Sequence, residues 1–152
     1  DQALIYEDHG GGQIELGAGV HIHRDCLLQT GRDGRIVIGD ETHIQPRCQL
    51  SAYVGSIHIG RRVEIAPNCA FYPYNHGLSS DRPLRQQPVQ TKGGIVIGDD
   101  AWLGVGVIVL DGVTIGAGAV IGAGSVVSRD IPAMAIAVGN PATVVRIRAA
   151  TP

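Results

Sequence analysis

The chain has 152 residues, enough for one domain with a sizeable core. Glycine fills 22 positions, about twice the ordinary share, and aromatic residues only 4 %, which favours a turn-dense repeat over a core of large rings. A formal charge of −2 excludes the basic footprint of a nucleic-acid binder, and no apolar run approaches the roughly 18 residues of a membrane span. No signal-peptide pattern is read. Three cysteines without a C-x-x-C argue against a disulfide framework or a zinc knuckle. They fit a reducing, cytoplasmic setting.

Residues 1–13 show no repeat and contain Gly10-Gly11-Gly12, which reads as a loose lead-in. From Ile14 an aliphatic residue recurs every six positions. The series is Leu16, Ile22, Leu28; Ile38, Ile44, Leu50; Ile59, Ile65, Phe71; Ile97, Leu103, Val109, Ile115, Ile121, Val127. All 15 sites are Leu, Ile, Val or Phe, although those types fill only 43 of 152 positions, so chance does not supply the pattern. The rhythm breaks after Leu28, Leu50 and Phe71, each time after a multiple of three hexads. Eighteen residues is therefore the unit, a coil with three sides, and every insertion leaves from one corner. The reading is all-β: a triangular parallel solenoid of five coils over 14–130.

The residue two before each marked site is mostly small or β-branched, and in a strand i and i−2 point the same way. Both columns should fill the prism. Cys26, Cys48 and Cys69 share the second column and should stack inside as small apolar fillers. Gly17, Gly39, Gly60, Gly98 and Gly116 follow the first marked site of every coil, so that corner is expected to need a conformation that only glycine adopts cheaply. Stacked coils about 4.8 Å apart give a prism roughly 25 Å tall.

The largest insertion, residues 72–94, is polar and aperiodic and carries one histidine, His76. After Val127 the pattern ends at Ile131-Pro132. Residues 131–152 read as a cap: a closing strand over 133–138, a turn at Gly139-Asn140-Pro141-Ala142, and a short helix over 143–150. An open solenoid end exposes unpaired strand edges, so a cap is physically required.

Four segments carry a resemblance. Tyr72-Pro73-Tyr74-Asn75-His76-Gly77-Leu78 resembles the loop of the hexapeptide-repeat acyltransferases that holds their catalytic histidine. Asp100-Ala101-Trp102-Leu103-Gly104 is similar to their D-x-W-I-G strand, Val127-Ser128-Arg129-Asp130-Ile131-Pro132 to their V-T-K-D-x-P segment, and Gly139-Asn140-Pro141-Ala142 to their G-N-P-A terminus. The resemblance covers about residues 14–148. It is strongest to the maltose, galactoside and nodulation-factor O-acetyltransferases and to polysaccharide O-acetyltransferases. It implies a left-handed parallel β-helix, acetyl-CoA as acyl donor, a sugar-like or glycan acceptor, and a homotrimer whose clefts lie between prisms. Gln45 and Arg47 stand near where the maltose and galactoside enzymes position the acceptor.

Moving an acyl group from a thioester to an alcohol requires a base for the hydroxyl proton, which an imidazole supplies near neutral pH. The resemblance assigns that role to His76. A backbone N–H in the Leu103–Val105 turn is the expected oxyanion donor. Trp102 precedes a marked site, so it points outward, and the resemblance makes it a wall of the acyl-CoA cleft. On the same basis Gly104, Val105, Ala123 and Ser128 are expected along the pantetheine, and Arg129 and Arg146 at the phosphates and adenine. Asn75 and Asp81 are expected to orient His76 or the acceptor, and His43 and Gln45 to touch the acceptor. The buried cysteines make an acyl-enzyme unnecessary, so direct transfer is expected.

Two other classes compete. His21 and His43 share an outward column with Glu64 and Trp102 beyond, and two histidines beside a carboxylate are a metal motif. A metal-dependent hydratase, like the carbonic anhydrases of this fold class, needs a second histidine five residues after the loop histidine. Asp81 stands there instead, and no metal is expected. A non-catalytic solenoid binding protein would not need the loop.

Overall fold

The computed structural model describes residues 2–7 and 11–149. Its strands stack in parallel on three faces. The first face runs from Gln13–Leu16 through residues 36–38 and 57–59 to Ile95–Ile97 and Thr114–Ile115. The second runs His21–Ile22, His43–Ile44, Glu64–Ile65, Trp102–Leu103, Val120–Ile121 and Ala135–Gly139. The third holds six strands, from Leu4–Tyr6 to Val126–Val127. The register is that of the hexads: Ile22 lies on Ile44, Ile44 on Ile65, Ile65 on Leu103 and Leu103 on Ile121.

The marked residues form the interior. From Leu28 onward all are at most 3 % exposed, and Phe71 is the largest fully buried side chain. Leu16 and Ile22 are the exceptions, at 45 % and half-buried, because nothing stacks beneath the first coil on their faces. Polar members of the second interior column satisfy themselves locally: the Thr42 hydroxyl donates to Gly60 O at 2.8 Å and accepts from Val63 N at 3.1 Å. Cys26, Cys48 and Cys69 are free and at most 1 % exposed. Their thiols donate to backbone oxygens of Gln45, Ala66 and Gly104. The neighbouring Cys48 thiol and burial hold the Cys26 thiol far above its ordinary range, while the Cys48 hydrogen bond lowers Cys69.

Expectations for the coil count, the lead-in, the glycine column and the cap need correction. There are about six turns, not five: Leu4–Tyr6, read as lead-in, is a strand paired with Leu27–Gln29, and it closes the third face over Leu28. The first two insertions run inside the long strands Leu27–Ile38 and Gln49–Ile59, which pair along their length with one register shift between Thr30 and Asp33. Insertions of similar length at one corner stack on each other as the hexads do.

The glycine column has a different cause from the one expected. Gly17, Gly39, Gly60, Gly98 and Gly116 are not in the left-handed region. A Cβ on Gly39 would sit 2.7 Å from the Gly60 carbonyl carbon, and one on Gly98 2.5 Å from Ala117 N. The coils step too closely there for any side chain. The left-handed residues recur instead three after the marked sites, as at Glu41, Arg47, Arg62, Asn68 and Asp100.

Among its described residues the cap contains no helix. Ala142–Ile147 is a strand that returns antiparallel along Ala135–Gly139. Its β-branched Thr143, Val144, Val145 and Ile147 suit a pleated strand, and the free edge of Ala135–Gly139 offers a ladder that an isolated helical turn cannot match. The last residue of the expected helix, Ala150, lies outside the described residues. No described helix is long and apolar enough to cross a membrane.

Candidate active site

The loop leaves the third face at Ala70–Tyr72 and rejoins the first face at Ile95–Ile97. His76 lies in a two-stranded antiparallel ribbon, Asn75–His76 against Val89–Gln90, with Gly77 N donating to Pro88 O at 3.0 Å. Asn75 and His76 are exposed. A short 3-10 turn, Leu84–Gln86, connects the two strands.

Side chains hold this ribbon where the hexads cannot. Gln87, 6 % exposed, is its internal clamp. Its Oε1 accepts Ser79 N at 2.8 Å, and its Nε2 donates to Ser79 O at 2.7 Å and Arg82 O at 3.1 Å. Asp111, 7 % exposed, ties the returning strand by accepting Lys92 N at 2.7 Å, Thr91 Oγ1 at 3.2 Å and Gly94 N at 3.3 Å. At the outgoing side Tyr74 meets Tyr72 and Tyr53 edge-on, with ring centroids 5.9 and 6.2 Å apart, and Tyr72 donates to Gln49 Oε1 at 2.8 Å. A small cavity of about 90 Å³ lies among Asn75, Gln90, Thr91, Lys92 and Asp111. Neither Gln87 nor Asp111 is marked by the period. The available signal was an acid on the corner where insertions depart; Gln87 is one of three glutamines in the loop, and nothing in the sequence singles it out.

Asp81 does not reach His76 through any described bond. Its carboxylate accepts from the Ser79 hydroxyl and pairs with Arg82 at 3.1 Å, and these two contacts, Ser79 first, hold its carboxyl below the ordinary range. It braces the loop instead.

Across the prism, the second face carries the other candidates. Trp102, 53 % exposed, stands on Glu64 and beneath Val120 and Ile136. With Arg146, Ile147 and Arg148 of the returning strand it lines a cavity of about 450 Å³. Trp102 and Arg146, 44 residues apart in sequence, thus share one pocket. Arg148, not singled out from the sequence, is fixed there by donating to Gly118 O at 2.6 Å. The neighbouring outward column carries little side chain, with Ala66, Gly104 and Gly122 stacked by bonds from Ala66 N to Leu103 O, Gly104 N to Ile121 O and Gly122 N to Ala137 O. A Cβ on Gly104 would sit 2.7 Å from Ala123 N and one on Gly122 2.7 Å from Val138 Cγ1, so these glycines mark the close approach of the next coil.

Gly104 is buried, and its N–H is spent on Ile121 O at 2.8 Å, so it offers no free oxyanion donor. Val105, 49 % exposed in the adjoining turn, makes no described backbone bond through its N–H. Gly124 N donates to Val105 O at 2.8 Å, which sets Ala123 beside Val105 on the corner between the second and third faces. Ser128 and Arg129 are exposed on the next corner, the one from which the loop departs, and do not line the Trp102 pocket.

At the other end of the second face His21, His43 and Glu64 stack in one column, as their spacing predicts. The His21 and His43 ring centroids are 4.7 Å apart and His43 Nδ1 lies 3.5 Å from Glu64 Oε1. Gln45 is half-buried beside them. Among the described residues no group of three His, Cys, Asp or Glu side chains is arranged to hold a metal ion.

The expected site is therefore split. The loop corner holds Asn75, His76 and Asp81; the opposite face holds Trp102, Arg146, His43 and Gln45.

Residues 94–129 match the family described as bacterial transferase hexapeptide (six repeats). The galactoside O-acetyltransferase of Lactococcus lactis is 32 % identical over 145 residues, covering 95 % of this chain and 58 % of that protein. The chain spans about half the length of the curated relatives it matches, 45 %, 44 % and 58 % of three of them. An N-acyltransferase from Bacillus cereus, solved with dTDP and coenzyme A, superposes with a TM-score of 0.81 over 97 % of this chain and 78 % of its own. At 23 % identity it speaks for the fold, the left-handed parallel β-helix. A hexapeptide-repeat acetyltransferase from Vibrio cholerae, solved with acetyl coenzyme A, is 35 % identical, with a TM-score of 0.74 over 88 % of this chain and 70 % of its own. Its identity and coverage, with the hexad register seen in every face, place this chain in the hexapeptide-repeat acyltransferase family.

Proposed function

We propose that the chain is an acyl-CoA-dependent O-acetyltransferase acting on a hydroxyl of a sugar or polysaccharide precursor in the cytoplasm. The pocket that joins Trp102 and Arg146 carries the reading. An exposed indole and a guanidinium, with the apolar Val120 and Ile136 between them, suit an extended thiol arm ending in phosphates. The curated and solved relatives named above, one of them holding acetyl coenzyme A, support the same donor for this chain.

His76 is the general base. Its imidazole takes the acceptor hydroxyl proton as that oxygen attacks the thioester carbon. The oxyanion is met by the Val105 N–H. Collapse of the tetrahedral adduct breaks the C–S bond, and the imidazolium returns its proton to the leaving thiolate. No bond to the enzyme forms, in keeping with three buried cysteines. Asn75 borders the loop cavity and His43 and Gln45 line the acceptor side. Gly104 and Ala123 flank the donor arm. Ser128 and Arg129 sit on the loop corner and would meet the donor there.

Because the loop corner and the Trp102 face lie on opposite sides of one prism, His76 and Trp102 meet when the corner of one copy packs on the face of the next. A homotrimer closes that arrangement with three equivalent sites. The test is complementation. His76→Ala and Trp102→Ala, each inactive or nearly so alone, should regain acetyl-CoA-dependent acceptor turnover when unfolded and refolded together, because mixed trimers contain sites with both residues intact. His76→Ala alone should lower kcat by about 10²–10⁴-fold and leave coenzyme A binding unchanged by calorimetry. Full activity in His76→Ala removes the base assignment, and absence of any recovery on mixing removes the shared site.

A further inference from the structure

The returning leg of the loop, residues 91–94, is gripped between two coils. On one side lies the Gln49–Ile59 strand. A Cβ on Gly55, at φ +81°, would meet Thr91 Oγ1 at 2.6 Å and Pro73 O at 2.8 Å, so both legs of the loop close over that glycine. On the other side lie Asp111 and Gly112. Gly112 N donates to Gly94 O at 2.9 Å, and a Cβ on Gly112 would sit 3.0 Å from Lys92 Cβ.

The centre of the grip is one carboxylate. Asp111 Oδ2 accepts Lys92 N at 2.7 Å, while Oδ1 accepts Thr91 Oγ1 at 3.2 Å and Gly94 N at 3.3 Å. Among the described residues Asp111 forms no ion pair. Its partners are three donors of one short segment. Asparagine has the same shape, but one of its two ends is a donor. Turned toward Lys92 N–H or toward Gly94 N–H, that end sets donor against donor. The position therefore demands two acceptor oxygens, which only the carboxylate supplies.

Beside this grip the ribbon is not packed on the prism. The cavity of about 90 Å³ lies there, lined by Asn75, Gln90, Thr91, Lys92 and Asp111. Asn75 pairs with Gln90 and His76 with Val89. Asn75 and Gln90 thus share the side of the ribbon that faces the cavity, and His76 takes the other side. With space under it, the ribbon is free to tilt about its root. The outgoing leg is anchored by the edge-on rings of Tyr53, Tyr72 and Tyr74, contacts that hold over a range of ring separations. The returning leg is anchored by directional bonds, which fall off steeply with angle. The tilt of the ribbon, and with it the imidazole, is set at Asp111.

We propose that Asp111 is a positioning residue for acyl transfer: it touches neither donor nor acceptor, and it holds residues 91–94 so that the paired strand presents His76 to the reacting hydroxyl. The proposal rests on the reading of His76 as the base. A displacement of about 1 Å at a catalytic group costs about 10²-fold in rate, so the loss of one acceptor oxygen here should reach the chemistry.

Asp111→Asn keeps the shape of the side chain and Asp111→Ala removes it, so a folding failure of the second leaves the first to be read. Both are expected to lower kcat for acetyl transfer to methyl galactoside by about tenfold or more, with KM for acetyl-CoA and coenzyme A affinity close to wild type. Proton–nitrogen correlation NMR supplies the readout that a merely structural role would not move. The His76 imidazole resonances should shift in Asp111→Asn, while those of His21 and His43 on the second face stay in place. A tenfold loss of kcat with unmoved His76 resonances means that Asp111 acts elsewhere and overturns the proposal. So does a shifted His76 in a variant of wild-type kcat. In a wild type that acetylates no galactoside the reading of the reaction fails, and the resonances then decide whether Asp111 places His76: a shift supports it and no shift overturns it.

Discussion

The prism and the loop it carries are held by different means. Inside the prism each coil repeats one aliphatic ladder, and no single residue is indispensable to the design: Leu28, Leu50, Phe71 and Val109 are interchangeable kinds of filler in one stack. The loop has no repeat to lean on. It depends on individual polar side chains, Gln87 within and Asp111 at the return, each making three bonds that no neighbour duplicates. A solenoid thus separates stability, spread over many equivalent contacts, from positioning, concentrated in a few unique ones. That difference predicts that substitutions in the two regions have opposite signatures.

The largest effect on stability is expected from the prism. Phe71→Ala removes the bulkiest fully buried side chain, which lies between Leu50 and Val109 in the stack. The cost should be about 3–5 kcal/mol, from lost transfer energy and the cavity left behind. Denaturant unfolding of wild type and variant measures it. Residual folded protein should keep its coenzyme A affinity. A loss under about 1 kcal/mol would mean that the coils collapse around the gap, and that the interior is less rigid than a close-packed stack.

Much of the prism was legible because periodicity is a redundant signal. Every face repeats Ile44-on-Ile65-type pairings, so an error at one position is corrected by the others. The misreadings fall where redundancy stops. Leu4–Tyr6 is a single three-residue strand with no hexad behind it. The Gly39 and Gly98 column is visible in sequence, but its reason, the approach of the next coil, is a three-dimensional distance. The Thr143–Ile147 segment follows no repeat, and an edge strand decided its conformation. The candidate site was legible as residue types and not as an arrangement. Trp102 and Arg146 come together because a strand turns back on the cap, and Gln87 and Asp111 were invisible because polar residues in a loop carry no pattern.

A middle-sized effect tests the loop. Gln87→Ala leaves Ser79 N–H, Ser79 O and Arg82 O without their partner. Each group then finds water or stays unpaired, at about 1–3 kcal/mol where it remains buried. Because this energy is local to the loop, global Tm should move little. Exchange of the Ser79 amide should accelerate, and acetyl transfer should fall through kcat, with the affinity for coenzyme A unchanged. Glutamate at position 87 keeps the acceptor for Ser79 N–H but loses both donated bonds, so it should restore only part of the activity. A large drop in Tm with unchanged Ser79 exchange would show that the loop and prism are one cooperative unit after all.

The smallest effect concerns acid. Asp81 is held below its ordinary carboxyl value of 3.8 by the Ser79 hydroxyl first and Arg82 second. On the prism corners Asp99 is lowered by Arg61, through its backbone N–H first and its guanidinium next, and Asp100 by the Arg62 guanidinium. A folded-state value below the unfolded one means stability that is fully present above pH 3.8 and is lost as pH falls through the lower folded value. Asp81 and Asp100 are exposed and Asp99 is half-buried at the surface, so each contribution is small and screened by salt. The interior ladder of Leu, Ile, Val and Phe contains no titrating carboxylate. Acidification below 3.8 should therefore loosen the Ser79–Arg82 segment, read as faster amide exchange there, before the strand circular dichroism changes. Asp81→Asn should reproduce that loosening at pH 7 and abolish its pH dependence, because no carboxylate remains to protonate. If the variant's Ser79 exchange still accelerated below pH 3.8 as in wild type, the acid sensitivity would belong to the prism corners and the two regions would not be separable by pH.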